Sequence, residues 1–188
     1  MEPIAPKRQR IEHRSQREWV LERPDTYVGA TDPDDVELLA PAEPGGAVVV
    51  HASPAVLHLA NELVTNAVDN ASRDATQRYI RIDATETTIS VRNDGSTLPI
   101  ERVGEDWAPT SAFGRFQSGS NFDDSEQRYT AGRNGIGCKA ANVFATQFDI
   151  SVVNAEAKKV FTQTWCDNMA VEGAPVFKAT SRKTNETL

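Results

Sequence analysis

Only two cysteines, Cys138 and Cys166, stand among the 188 residues. That is too few for a disulfide framework and fits a reducing compartment. No apolar run approaches membrane-spanning length, and the N-terminus lacks the apolar core of a signal peptide, so a soluble intracellular protein is expected, with no membrane partner. A surplus of positive charge is also missing: 20 basic against 27 acidic residues leave a formal net charge of -7. This excludes a chain-wide nucleic-acid-binding surface, so any DNA contact must be local or supplied by another part. What is present is 39% hydrophobic residues, enough for one substantial core at a length that suits one domain or one and a half.

Residues 1–14 carry Lys7, Arg8, Arg10 and Arg14 with few apolar partners and read as a flexible basic arm: a nuclear address, a DNA-touching tail or simply a solvated segment. Ser15-Gln16-Arg17-Glu18 has the capping-box pattern and starts a short helix through Trp19, Val20 and Leu21, which Pro24 ends. A compact turn, Arg23 to Gly29, follows, and residues 31–46 are rich in prolines, glycines and acids, where no regular element is expected. Residues 47–51, with three consecutive valines, read as a strand. Residues 79–83 and 87–92 alternate apolar with polar and read as a hairpin with one face covered, running into the turn Asn93-Asp94-Gly95. Residues 97–137 hold six glycines and four serines with little periodicity, the character of a lid or binding loop without regular structure. A helix over 138–145, strands over 148–153, 159–165 and 176–180, and a polar tail complete the chain. The order suggests an α+β two-layer sandwich: a mixed, mainly antiparallel sheet with helices on one face.

The long helix between the first strand and the hairpin begins at Ser53-Pro54, an N-cap followed by a proline whose missing N–H costs nothing there, and ends between residues 73 and 76. At helical spacing Leu57, Ala60, Val64, Ala67, Val68 and Ala71 gather on one side, while Glu62, Asn66, Asn70 and Arg73 run along another. A carboxylate one turn from an amide, at the edge of apolar surface, is a possible reactive site; on the helix alone a solvated face is the commoner meaning. The second feature is the octet Gly132-Arg133-Asn134-Gly135-Ile136-Gly137-Cys138-Lys139. Its glycines permit close backbone approach, and free N–H groups at the following helix start attract anions, phosphate above all. It does not fit the P-loop pattern, which needs lysine followed by serine or threonine. It matches G-x-G-x-x-A at Gly135, Gly137 and Ala140 without the strand and parallel unit that pattern requires. By itself it reads as a helix-entry turn.

In order, the chain presents Glu62-x-x-x-Asn66-x-x-x-Asn70, Asn93-Asp94-Gly95 at a strand end, and Gly132 to Gly137 at a helix start. These motifs resemble the Bergerat-type ATP-binding fold shared by type II DNA topoisomerases, the large heat-shock chaperone, histidine kinases and mismatch-repair ATPases. Arg23-Pro24-Asp25-Thr26-Tyr27-Val28-Gly29, Asn66-Ala67-Val68-Asp69-Asn70, Ser120-Asn121-Phe122-Asp123-Asp124 and the octet narrow the resemblance to the ATPase region of eukaryotic-type, including viral, topoisomerase II. It covers roughly residues 15 to 180.

The resemblance implies ATP and Mg²⁺ as cofactors and assigns roles. Glu62 is the general base for the attacking water, Asn66 supplies an oxygen to Mg²⁺, and Asn70 contacts phosphates or sugar. Asp94 accepts a hydrogen bond from the adenine amino group. Ser120 and Asn121 reach ribose and phosphates from a lid over residues 97–137; Arg133, Asn134, Gly135, Ile136 and Gly137 cradle the β and γ phosphates, and Lys139 adds positive charge. Residues 15–188 become the ATP-binding domain of a larger enzyme that passes one DNA duplex through another, homodimeric through its N-terminal region and working in a nucleus or viral replication compartment. A second domain with a lysine for the γ-phosphate, and the DNA-cutting parts, are expected outside these residues. The alternatives are a nucleotide-gated dimerisation module with negligible hydrolysis of its own, or another ATPase of the same fold. Two departures bear on affinity: Ser96-Thr97-Leu98-Pro99 puts a β-branched residue where the family has glycine, and Gly119 stands where it has serine.

Overall fold

The computed structural model describes residues 13–39, 46–116 and 136–188. The expected capping box forms: Ser15 Oγ accepts from Glu18 N at 3.2 Å and the Glu18 carboxylate accepts from Ser15 N at 2.8 Å, starting helix α1 (Gln16–Glu22), which buries Val20. Pro24 ends that helix and opens the next, because its locked φ suits a first helical position. The compact turn after Arg23 is therefore one helical turn, α2 (Pro24–Tyr27).

Within residues 31–46, positions 34–39 correct the expectation of irregular chain. Strand β1 (Asp34–Leu39) pairs antiparallel with β2 (Ala47–Ala52), Val36 opposite Val50 and Leu38 opposite Val48. Its acidic composition hid it; cross-strand pairing decides here, not intrinsic preference. Helix α3 (Pro54–Arg73) follows with Ser53 at its N-cap and Pro54 at its first position. The Ser53 hydroxyl makes no bond to its own helix and instead donates to Ala30 O at 3.4 Å.

The hairpin forms as β3 (Ile80–Ala84) and β4 (Ile89–Asn93), Ile82 opposite Val91. Its face is not covered as expected: β3 is a sheet edge, Ile82 is 50% exposed and Ile89 39%. Val68, placed on the apolar side of α3, is likewise exposed, and Asp69 is buried. In the helix the cause is that α3 packs against both β4 and the later helix α5 (Gly137–Phe144), so its buried arc is turned from the one periodicity alone suggests.

Inside residues 97–137 regular structure appears where none was expected: β5 (Arg102–Val103), β6 (Asp106–Trp107) and α4 (Ala108–Gly114). These elements are too short to leave a periodic signal. After α5 come β7 (Gln147–Asn154), β8 (Lys159–Cys166), β9 (Val171–Glu172), β10 (Val176–Ala179) and β11 (Glu186–Thr187). The expected polar tail is thus a strand, and an interior one: the main sheet runs β10-β8-β7-β11-β4-β3, with β9 also beside β8. Glu186 holds it there, accepting from Arg182 Nη1 at 2.7 Å and Tyr79 Oη at 3.0 Å, with Arg92 Nη1 at 3.7 Å.

All pairings among the described residues are antiparallel. The α+β arrangement is as expected. Ile150, Val152, Phe161 and Trp165 form the core on the face toward the helices, joined by Leu98, Ile100, Trp107 and Phe113. A second cluster, Val28, Ala55 and Ala140 with Tyr27, Leu59, Ile136 and Phe144, joins α2, α3 and α5. Arg115 fastens the end of α4, its Nε 2.8 Å from Asp106 Oδ2 and its Nη1 2.5 Å from Glu172 Oε2.

The first core leaves no room at Gly114, where an added Cβ would stand 2.7 Å from Trp165 Cζ2. Gly114→Ala should therefore destabilise the fold by about 1–3 kcal/mol, the range for overpacking, seen as a lower urea midpoint with unchanged slope.

Candidate functional site

Glu62, Asn66 and Asn70 each fall one turn apart and share one side of α3. The Glu62 side chain is 31% exposed, and its Oε1 lies 3.6 Å from Nε2 of His58 one turn earlier. Asn66 turns its amide nitrogen back to Glu62 O at 2.8 Å, which leaves its oxygen as the group available to a ligand.

The octet meets this line at one point. A Cβ on Gly137 would lie 1.8 Å from Glu62 Oε2, so the carboxylate rests directly against the backbone that opens α5. The first N–H groups of α5 have no carbonyl within their own helix, and the carboxylate stands beside this positive end. Lys139, in the first turn, is buried at 4% exposure, and burial pushes its ammonium below the usual lysine value. Cys138 is buried too; its Sγ lies 3.4 Å from Ala112 O, and burial pushes the thiol up. Ile136 is the N-cap and packs into the second cluster. Arg133, Asn134 and Gly135, like Ser120, Asn121, Gly119 and the arm before residue 13, lie outside the described residues.

At the other end of the line sits the turn after β4, where Gly95 takes φ +95. Asp94 is 2% exposed. Its Oδ1 accepts from Arg78 N at 2.8 Å and Tyr79 N at 3.1 Å, and its Oδ2 from Arg78 Nε at 2.8 Å. Burial alone would raise its pKa, but these donors outweigh it and hold the carboxyl below the ordinary value. Two lone pairs per oxygen leave one acceptor position on Oδ2. Asn70 Nδ2 donates to Gln77 Oε1 at 2.6 Å and Ser96 O at 3.1 Å, and its oxygen accepts from Ser96 Oγ at 3.1 Å. The turn is therefore stitched to the C-terminal end of α3. Thr97 Oγ1 pairs with Thr187 Oγ1 at 3.0 Å, so the β-branched departure is absorbed by the interior strand.

The structure thus brings Glu62 against Gly137 at the middle of α3, with Asn66 one turn further on, and Asn70 and Asp94 together toward the C-terminal end of α3; Lys139 is buried in the first turn of α5. Eight residues of helix, about 12 Å, separate Glu62 from Asn70. Sequence reasoning passed over His58, Gln77 and Asn93. His58 carries the i, i+4 spacing to Glu62 and was findable; Asn93 lay inside a quoted motif whose carboxylate drew the attention; Gln77 has no local signal. Among the described residues no group of three or more His, Cys, Asp or Glu side chains could hold a metal ion. A hard cation here would draw its oxygens from single amides, water and the ligand itself.

A profile for the histidine kinase-, DNA gyrase B- and HSP90-like ATPases matches residues 51–167. DNA topoisomerase 2 of Meyerozyma guilliermondii is 39% identical over 163 residues, and DNA topoisomerase 2-alpha of Gallus gallus 36% over 171. These matches cover 83% and 88% of this chain but only 12% and 11% of those proteins. The ATPase region of Saccharomyces cerevisiae topoisomerase II superposes with a TM-score of 0.87 at 31% identity, over 94% of this chain and 49% of that one. The ATPase and transducer domains of topoisomerase II from Balamuthia mandrillaris give 0.81 at 33%, over 94% and 48%.

The held-down Asp94 carboxyl stabilises the fold at any pH above its unfolded value of about 3.9, and that contribution drains away as pH falls through the folded value. At about pH 6 Asp94→Asn should be about 1.5–3 kcal/mol less stable than the unsubstituted chain, and the gap should close below about pH 4. Urea unfolding at several pH values checks this.

Proposed function

The chain belongs to the family of histidine kinase-, DNA gyrase B- and HSP90-like ATPases, and on that premise we propose that it binds Mg²⁺–ATP along α3 and hydrolyses it with Glu62 as general base. The observation that carries this is the contact between the Glu62 carboxylate and Gly137. It sets a proton acceptor beside the helix start where the terminal phosphates are cradled by residues 133–137, with Lys139 adding charge. The carboxylate orients and deprotonates the attacking water. Asn66 fits the metal, since its nitrogen is committed to Glu62 O and its oxygen is a hard ligand. Bound there, Mg²⁺ would neutralise charge on the phosphates. Asn70 lines the path of the sugar and phosphates, Ser120 and Asn121 reach the ribose and phosphates from the lid, and the remaining acceptor position of Asp94 takes the adenine amino group.

By likeness to the topoisomerase relatives, this domain serves a larger homodimeric enzyme that acts on double-stranded DNA, with dimerisation through the N-terminal region driven by ATP. No helix among the described residues is long and apolar enough to cross a membrane.

Binding and turnover are tested separately, because a nucleotide-gated dimerisation module would show the first without the second. A saturating Mg²⁺ complex of the β,γ-imido analogue of ATP, at about 100 times its Kd, should stabilise the fold by about 2.7 kcal/mol and raise Tm by about 5–10 °C. Glu62→Gln should keep that shift while turnover falls by about 100-fold or more. No shift in the unsubstituted chain would refute the assignment, and undiminished turnover in Glu62→Gln would refute the base.

A further inference from the structure

One side chain outside every motif organises the base end of the site. Gln77 lies between α3 and β3, partly buried. Its Nε2 donates to Ala67 O at 3.0 Å, and its Oε1 accepts from Asn70 Nδ2 at 2.6 Å and from Asn93 Nδ2 at 3.2 Å. The turn packs against it so tightly that a Cβ on Gly95 would stand 2.9 Å from Gln77 Cβ.

The direction of every bond in this cluster is forced. Ala67 O is a backbone carbonyl and can only accept, so Gln77 must offer it the amide nitrogen and turn its oxygen the other way. That oxygen also only accepts, so Asn70 and Asn93 must both present nitrogen to it. The second amide hydrogen of each goes to another backbone carbonyl, Ser96 O at 3.1 Å for Asn70 and Asp94 O at 3.0 Å for Asn93. Asn70 Oδ1 is taken by Ser96 Oγ. Asn93 Oδ1 receives no hydrogen bond from any described residue, although Asn93 is only 7% exposed. Turning the Asn93 amide over would set its oxygen against two acceptors, Gln77 Oε1 and Asp94 O.

We propose that Gln77 is a positioning residue that sets the hydrogen-bond polarity at the base end. Through it Asn93 offers an acceptor and no donor, so the site favours a purine with an exocyclic amino group over one with a carbonyl oxygen at the same place. This rests on reading the site as a nucleoside triphosphate site with its base at the Asn93 to Gly95 turn. Removing Gln77 takes away one of the two acceptors that hold the Asn93 amide, leaving Asp94 O alone to orient it, and the distinction between the two purines weakens.

The test compares binding of the Mg²⁺ complexes of the imido analogues of ATP and ITP by calorimetry. The unsubstituted chain should prefer the adenine analogue by about tenfold or more, the scale of one well-placed hydrogen bond. Gln77→Leu and the volume-matched Gln77→Met should lower the ratio by about threefold or more, the Asp94 acceptor keeping part of it. Gln77→Glu, which keeps an acceptor oxygen toward both asparagines, should retain most of the preference. If Gln77→Leu or Gln77→Met binds both analogues more weakly with the ratio unchanged, Gln77 is only structural and the proposal falls; a Gln77→Glu ratio as low as that of Gln77→Leu overturns it as well. Binding of neither analogue by the unsubstituted chain overturns the nucleotide reading beneath it.

Discussion

The close approach of the Glu62 carboxylate to Gly137 is the contact on which the site depends. Elsewhere a helix-entry glycine is a convenience of backbone geometry. At this one the side chain of a different helix occupies the space a Cβ would need, with 1.8 Å between Oε2 and the missing carbon. An eight-residue helix and a twenty-residue helix are thereby locked at one distance. The consequence is chemical as well as steric: a carboxylate is brought to the start of α5, where the free N–H groups of a helix attract anions. His58 touches the same carboxylate from the preceding turn.

The C-terminal end of α3 works on a different principle. Around Asp94, Asn93, Asn70, Gln77 and Ser96 nearly every donor has one acceptor, and backbone carbonyls fix the direction of each bond. A partly buried network satisfied in this way resists rearrangement, because turning any amide over strands a polar group. The phosphate end, by contrast, is built from one close contact and the start of a short helix.

The parts legible in the sequence were those carried by local repetition. The Glu62, Asn66 and Asn70 line follows from helical spacing, the β3–β4 pair from alternation, and α1 from a capping box within four residues. Illegible were elements whose position comes from distant partners. β11 reads as a polar tail, and only Tyr79, Arg92 and Arg182 around Glu186 show why it lies inside the sheet. β1 is acidic and owes its regularity to β2. Val68 was assigned to the wrong side because α3 has two neighbours, and periodicity averages over both. In the site, the motifs named Asp94 and missed Asn93 and Gln77, whose roles depend on bond direction across the turn rather than on spacing.

The central claim, that catalysis depends on the carboxylate held at Gly137, is tested most directly by Gly137→Ala. At a first helical position alanine ordinarily costs nothing and favours the helix, and the clash falls on the far end of a flexible side chain, so the variant should fold. The account predicts that it binds the Mg²⁺–imido analogue within about threefold of the unsubstituted chain while hydrolysis of ATP falls by about 100-fold, because Glu62 is swung off the water. Hydrolysis by Gly137→Ala at the unsubstituted rate, with binding equally intact, would contradict it.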